Sequence, residues 1–135
     1  MGPGFRLEPL GPEHNEADHT AWTSSIDHIR ATPGFPYGQW PPLAGLSLGE
    51  NLDDLEHHAD DFERRVGFTY TVLDDADRVI GCVYMYPSRT DPRVAQVRSW
   101  VSANRAELDL IVHDAVADWL ATDWPFTDVR YRDPG

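Results

Sequence analysis

The sequence predicts one α/β domain of the α+β kind, over residues 5 to 135, with helices flanking a sheet built on an antiparallel hairpin. Three stretches carry that expectation. "FTYTVLD" alternates strictly from Phe68, "DDADR" is turn chemistry, and "VIGCVYMYP" is apolar on both faces up to Pro87. These make a hairpin whose second strand lies inside the sheet. Ser47, three residues before Glu50, has the spacing of a capping box, and Leu52, Leu55, Ala59, Phe62 and Val66 then mark one face of a helix. A later run sets Leu108, Ile111, Val112, Ala115, Val116, Trp119 and Leu120 at helical spacing between about Asn104 and Ala121.

The remaining elements fall around these. Phe5 to Leu10 alternates as a short strand stopped by Pro9, Gly11 and Pro12. From about Glu13 to Arg30, Trp22, Ile26 and Ile29 share one helical face. "TPGFPYGQWPPLAGLS", residues 32 to 47, holds four Pro and three Gly and is neither helix nor central strand. "VAQVRSWV" is a strand with Gln96, Arg98 and Trp100 on one face and Ala95, Val97, Ser99 and Val101 on the other. "DVRY" is a last strand. The order is strand, two helices, three strands, helix, strand.

Composition excludes several classes of function. The 135 residues carry a net charge of −12, and all eleven basic residues are Arg, spread along the chain. Such a chain repels a phosphate backbone, so nucleic acid is not expected as a partner. Without Lys there is no lysine Schiff-base chemistry. One Cys, Cys82, allows no internal disulfide. No apolar run reaches the roughly 20 residues that span a bilayer, and no signal segment opens the chain. The expectation is a cytoplasmic protein away from the membrane.

"EHNEADHTAWTSS", "ENLDDLEHHADDFERRVGFTYTVLD", "IGCVYMYP", and "VRSWV" followed by an acidic amphipathic helix and "WPF" together resemble small bacterial proteins of the GNAT superfamily. These are acyl-CoA-dependent N-acyltransferases, and the resemblance covers roughly residues 5 to 131. It implies a mixed, mostly antiparallel sheet flanked by helices. It also implies acetyl-CoA as co-substrate and a primary amine, on a small molecule or a peptide, as acceptor. Fold does not fix function, so a non-catalytic descendant that binds a ligand or a protein in the same cleft stands as the alternative. Neither the general base nor the general acid is assigned.

Two departures from the family pattern bear on the chemistry. The superfamily's turn after the fourth strand is Arg/Gln-x-x-Gly-x-Gly/Ala, whose amides hold the cofactor pyrophosphate at a helix start. Here Arg105 takes the first position, but Leu108 and Leu110 stand where the glycines belong. Relatives also continue beyond the fifth strand, so a shortened C-terminal part is expected. It leaves an uncovered sheet edge, to be covered by a homodimer partner or by the loop 32 to 47.

The resemblance places cofactor contacts at Trp100, Val101 and Ser102 on the strand and at Arg105 and Ala106 in the turn. Bland readings stand beside these: Trp100 as core, Arg105 as a solvated surface residue, and Asn104 with Glu107 as a capping box. That box would set a carboxylate where a phosphate lies and weaken coenzyme A binding. Tyr37, Trp40 and Tyr84 are candidates for substrate contact, with Tyr86 on the same strand face; core packing is the alternative for each. His57 with Asp61, and His58 near Asp60, offer too few ligands for a closed metal site, so no metal is expected. His113 reads as a surface partner of Asp109, and Cys82 as a buried inert thiol.

Overall fold

The computed structural model describes residues 4–35 and 40–132; Tyr37 lies outside them. Five strands form one sheet in the order β1 (Phe5–Pro9), β2 (Phe68–Asp74), β3 (Val79–Pro87), β4 (Val94–Val101) and β5 (Asp128–Tyr131). The first four pair antiparallel and β5 runs parallel to β4. The hairpin read from "FTYTVLD", "DDADR" and "VIGCVYMYP" forms with β3 interior. Asp77, at φ 63°, and the Asp74 side chain, which accepts from the Ala76 and Arg78 amides at 2.9 Å each, close its turn. Gly81 is required where β3 meets β4, because a Cβ there would lie 2.3 Å from the Trp100 carbonyl oxygen.

The two-sided apolar character of β3 is used on both faces. On one, Val83, Met85, Val97 and Val101 meet Val112, Val116 and Leu120 of α4 (Asp109–Asp123). On the other, Cys82, Tyr84 and Trp100 meet Trp22 of α1 (Asn15–Thr23), Ile29 of α2 (Ile26–Ala31) and Leu55 of α3 (Leu48–Glu63). Each large side chain buried in this way contributes about 1.5–3 kcal/mol of transfer free energy.

A buried polar junction fixes α1 against α3. The Trp22 indole donates to Asn51 Oδ1 at 2.9 Å, and Asn51 Nδ2 donates to Asn15 Oδ1 at 2.9 Å and Asp18 Oδ2 at 3.2 Å. Burial, opposed by the Asn51 hydrogen bond, pushes the Asp18 carboxyl up to about 6. The capping box at Ser47 forms as read, with Glu50 N donating to Ser47 Oγ at 3.1 Å and Ser47 N to Glu50 Oε1 at 3.0 Å.

Several expectations are corrected. The helix read from Glu13 to Arg30 breaks at Ser24 and Ser25. There the hydroxyls of Thr23 and Ser24 bond back to the His19 and Ala21 carbonyls, competing with the backbone ladder. α3 ends before Val66, which is exposed; Arg65 takes φ 59° and the Val66 amide returns to the Asp61 carbonyl. The helix read from Asn104 opens instead as a 3-10 segment, Ala103–Leu108, before α4, and Ile111 is 44% exposed rather than core. The described parts of the loop, residues 32 to 35 and 40 to 47, do not cover the β5 edge. The second part packs on the α1 side, where the Leu46 carbonyl lies 2.6 Å from His19 Nε2 and the Pro41 carbonyl accepts from Arg30 at 2.9 Å.

Candidate functional site

Alternation along β3 and β4 sends Tyr84, Tyr86 and Arg98 to the α1–α3 face, where they meet Asp54 and His58 of α3 and Trp40 of the loop. These six residues line a cavity of about 230 Å³. Its aromatic wall is continuous: Trp40 lies 6.0 Å from Tyr84 and 6.2 Å from Trp100 between ring centroids, and the Trp100 indole donates to the Tyr84 hydroxyl at 3.0 Å. The Trp40 indole N–H is buried without an acceptor among the described residues.

His58 is the titratable centre of this cavity. Its Nδ1 lies 2.9 Å from the Tyr86 hydroxyl and 3.2 Å from Thr69 Oγ1, and Nε2 lies 3.7 Å from Asp54 Oδ2. Tyr86 gives its one hydroxyl proton to Asp61 Oδ2 at 3.3 Å. The proton's place on the ring follows the tautomer: with Nδ1–H directed to the Tyr86 oxygen, the Nε2 lone pair lies on the Asp54 side. Burial pulls the His58 pKa below its ordinary 6.5, against the opposing pull of Asp54 and Asp61. The ring is therefore neutral and able to take a proton at pH 7. Burial, with Asp61 nearby, pushes the Tyr86 hydroxyl up to about 12, so it stays a proton donor.

The cavity adjoins the end of the described β4–β5 pairing. Pairing of β4 with β5 ends at Val97↔Tyr131, so Arg98 is the first β4 residue beyond the last pair. Ser102 N donates to the Ile80 carbonyl at 2.8 Å and Ser88 N to the Val94 carbonyl at 2.8 Å, which fixes the even-numbered residues of β4 toward β3. By strand alternation the backbone groups of Ser99 and Val101 face the β5 side, beyond the paired stretch. Tyr131 shares a hydrogen bond with Ser99 Oγ, and Arg132 leaves the strand to grip Asp109 with two bonds of 2.7 and 2.6 Å.

Beyond β4 the turn is occupied by the protein's own bonds. The capping box expected between Asn104 and Glu107 is absent: Asn104 Oδ1 accepts from Ser102 Oγ at 2.8 Å, and Glu107 is exposed. The reason is that the helix begins later, so these residues occupy a 3-10 segment whose cap, Ser102, makes no side-chain cap bond. Ala103 N donates to Ser25 Oγ at 2.9 Å and Arg105 N to the Ser102 carbonyl at 2.9 Å. The Arg105 guanidinium is bonded to Asp74, which is held below the usual carboxylate range chiefly by the Arg78 and Ala76 amides. Ser102, Asn104 and Arg105 line a second cavity, of about 690 Å³, together with Glu13, Glu16 and Asp77. Four carboxylates, counting Asp74, face two guanidinium groups there, Arg78 and Arg105, and both guanidinium groups bond Asp74.

No protein-family model and no curated protein matches the sequence. Solved structures match in shape. RimL, a ribosomal L7/L12 alpha-N-protein acetyltransferase in complex with coenzyme A, superposes with TM-score 0.69 at 11% identity over 87% of this chain and 64% of its own. The microcin C7 self-immunity acetyltransferase MccE, in complex with acetyl-CoA and AMP, gives 0.68 at 14% over 88% and 62%. A ribosomal-protein-S5-alanine acetyltransferase from Vibrio fischeri gives 0.69 at 14% over 89% and 65%. The fold is the GNAT acetyltransferase fold. This chain spans 62 to 65% of the length of those three proteins.

Within the GNAT fold the residues singled out in the sequence fall in different places. Trp40, Tyr84 and Trp100 come together in the aromatic wall. Ser102 and Arg105 line the acidic cavity, Ala106 is exposed on the turn, and Val101 belongs to the α4-side core. His113 pairs with Asp114 at 2.9 Å rather than with Asp109, which Arg132 engages. Cys82 is fully buried, and burial pushes its thiol pKa up. Sequence reasoning missed His58, Asp54 and Arg98 as one site. The available signals were the four-residue step from Asp54 to His58 and the placement of Arg98 on the Trp100 face of its strand.

Proposed function

We propose that this chain transfers an acyl group from an acyl thioester of the acyl-CoA type to a primary amine seated in the Trp40 cavity. The observation that carries the reading is the neutral imidazole of His58 beside Asp54, in a cavity that Arg98 shares with the end of β4–β5 pairing. Asp54 attracts the ammonium form of the amine, and His58 Nε2 takes one of its protons. The freed nitrogen attacks the thioester carbonyl carbon; the C–N bond forms, the C–S bond breaks, and the second amine proton ends on the leaving thiolate. The proton on His58 returns to solvent. Backbone N–H groups of Ser99 and Val101, on the open side of β4, suit the role of donors to the carbonyl oxygen as charge builds there. Because the turn is occupied by the protein's own bonds, the donor is held mainly by its acyl arm and binds weakly.

The second reading, ligand binding without catalysis, is favoured by the occupied turn alone. Thiol release from acetyl-CoA in the presence of primary amines separates the two; Cys82 is buried and does not contribute a reactive thiol. The expected result is amine-dependent release whose rate rises with pH through a pKa below 6.5, the value burial gives the group that must be deprotonated. His58→Gln removes that step in the profile and lowers the rate by about a hundredfold or more. Amine-dependent release that is absent from wild type, or unchanged in His58→Gln, overturns the proposal.

A further inference from the structure

The Trp40 cavity holds a cation and an anion that do not pair with each other. Arg98 lies over the Phe35 ring at 5.0 Å and the Tyr84 ring at 5.6 Å, and it makes no ion pair or hydrogen bond among the described residues. On the α3 wall, Asp54 has 43% of its side chain exposed, and its one ion-pair partner among the described residues is His58, at 3.7 Å. Most of the other Arg side chains are engaged by carboxylates: Arg6, Arg64, Arg78, Arg93, Arg105, Arg130 and Arg132 each sit in such a pair. Arg98, like Arg30, Arg65 and Arg89, makes no carboxylate pair among the described residues, and of these it is the one that lines the cavity.

We infer that the cavity binds a free α-amino acid, with Arg98 taking the carboxylate, Asp54 the ammonium, and the Trp40 and Tyr84 rings an apolar side chain. A volume of about 230 Å³ is below the roughly 300–1,000 Å³ of drug-sized sites, which suits a single small amino acid. The amino group would then lie on the Asp54 side of the cavity, where His58 Nε2 faces. A bidentate guanidinium contact reads a carboxylate and rejects the amide that a peptide or an amidated amine presents in its place. As the identity of the acyl acceptor, this rests on the acyl-transfer reading; as a binding site it does not.

The test is calorimetric titration of the full chain with L-leucine, L-leucinamide and 4-methylpentanoate, without any acyl donor. L-leucine is expected to bind at least tenfold more tightly than either analogue. Arg98→Gln removes the preference for L-leucine over L-leucinamide, and Asp54→Asn removes the preference over 4-methylpentanoate. Both side chains are solvent-accessible, so the variants should melt within a few degrees of wild type. Binding of L-leucinamide equal to that of L-leucine, or no binding of L-leucine, overturns the inference. Acetyl-CoA is then added to wild type with L-leucine: selective binding without thiol release refutes acyl transfer and keeps the site. Thiol release with other amines but no L-leucine binding refutes the site and keeps acyl transfer.

Discussion

Arg105 and Arg98 stand at opposite ends of one problem. Both lie near the end of β4, both line a cavity, and the family resemblance directs attention to Arg105. Arg105 is bonded to Asp74, a buried carboxylate that also receives two backbone amides and Arg78. Arg98 lies over two aromatic rings and has no carboxylate among the described residues. A charge whose partner is already within the fold holds that fold together, and drawing it toward a ligand means breaking a native bond. A charge resting on ring faces loses little when a ligand carboxylate arrives. The turn after β4 is thereby tied into the fold, and the proposed chemistry is assigned to the cavity under Trp40.

The largest structural effect is expected from Asp74→Ala, which leaves two backbone amides and two guanidinium groups without their acceptor. Its melting temperature should fall by several degrees more than that of Arg98→Gln. Equal shifts in thermal melts would break the distinction between the two regions.

A pH-dependent effect sharpens the contrast from the helix side. Asp18, near 6 in the fold and near 3.8 when free, binds more protons folded than unfolded between those values. Its contribution to stability is therefore full below about pH 3.8 and is lost as the pH rises to about 6. Asp18→Asn should melt close to wild type at pH 4 and above it at pH 8, by as much as about 3 kcal/mol. Melts that differ equally at both pH values would show that burial does not set this carboxyl.

The smallest effects belong to the turn as a phosphate contact. Glu107→Gln should change stability by less than about 0.5 kcal/mol. Replacing acetyl-CoA by S-acetylpantetheine, which lacks the phosphates, should change kcat/KM by less than about threefold. A large loss with the shorter donor would mean that the turn seats the pyrophosphate after all.

Much of the fold was legible because its signals are local. The strict alternation from Phe68, the turn residues after Asp74 and the Ser47–Glu50 box each act within a few residues, and each forms as read. The α1–α2 break and the late start of α4 were not legible. The break combines the local back-bonds of Thr23 and Ser24 with Ser25 accepting from Ala103, 78 residues away in sequence, and the late start of α4 goes with Asp74 reaching Arg105 across 31. The site divided in the same way. Strand alternation put Tyr84, Tyr86, Arg98 and Trp100 on one face, but only tertiary packing brings His58 and Asp54 over them. A histidine beside a second histidine on an acidic helix gives no sign of which ring turns inward: His57 keeps 71% of its side chain exposed and His58 14%.

The most direct test sets the two arginines side by side in steady-state acetyl transfer from acetyl-CoA to L-leucine. Arg98→Gln is expected to lower kcat/KM for the acceptor by at least tenfold, while Arg105→Ala stays within about threefold of wild type. A loss confined to Arg105→Ala, or no transfer by wild type, would contradict the assignment of the working site to the cavity under Trp40.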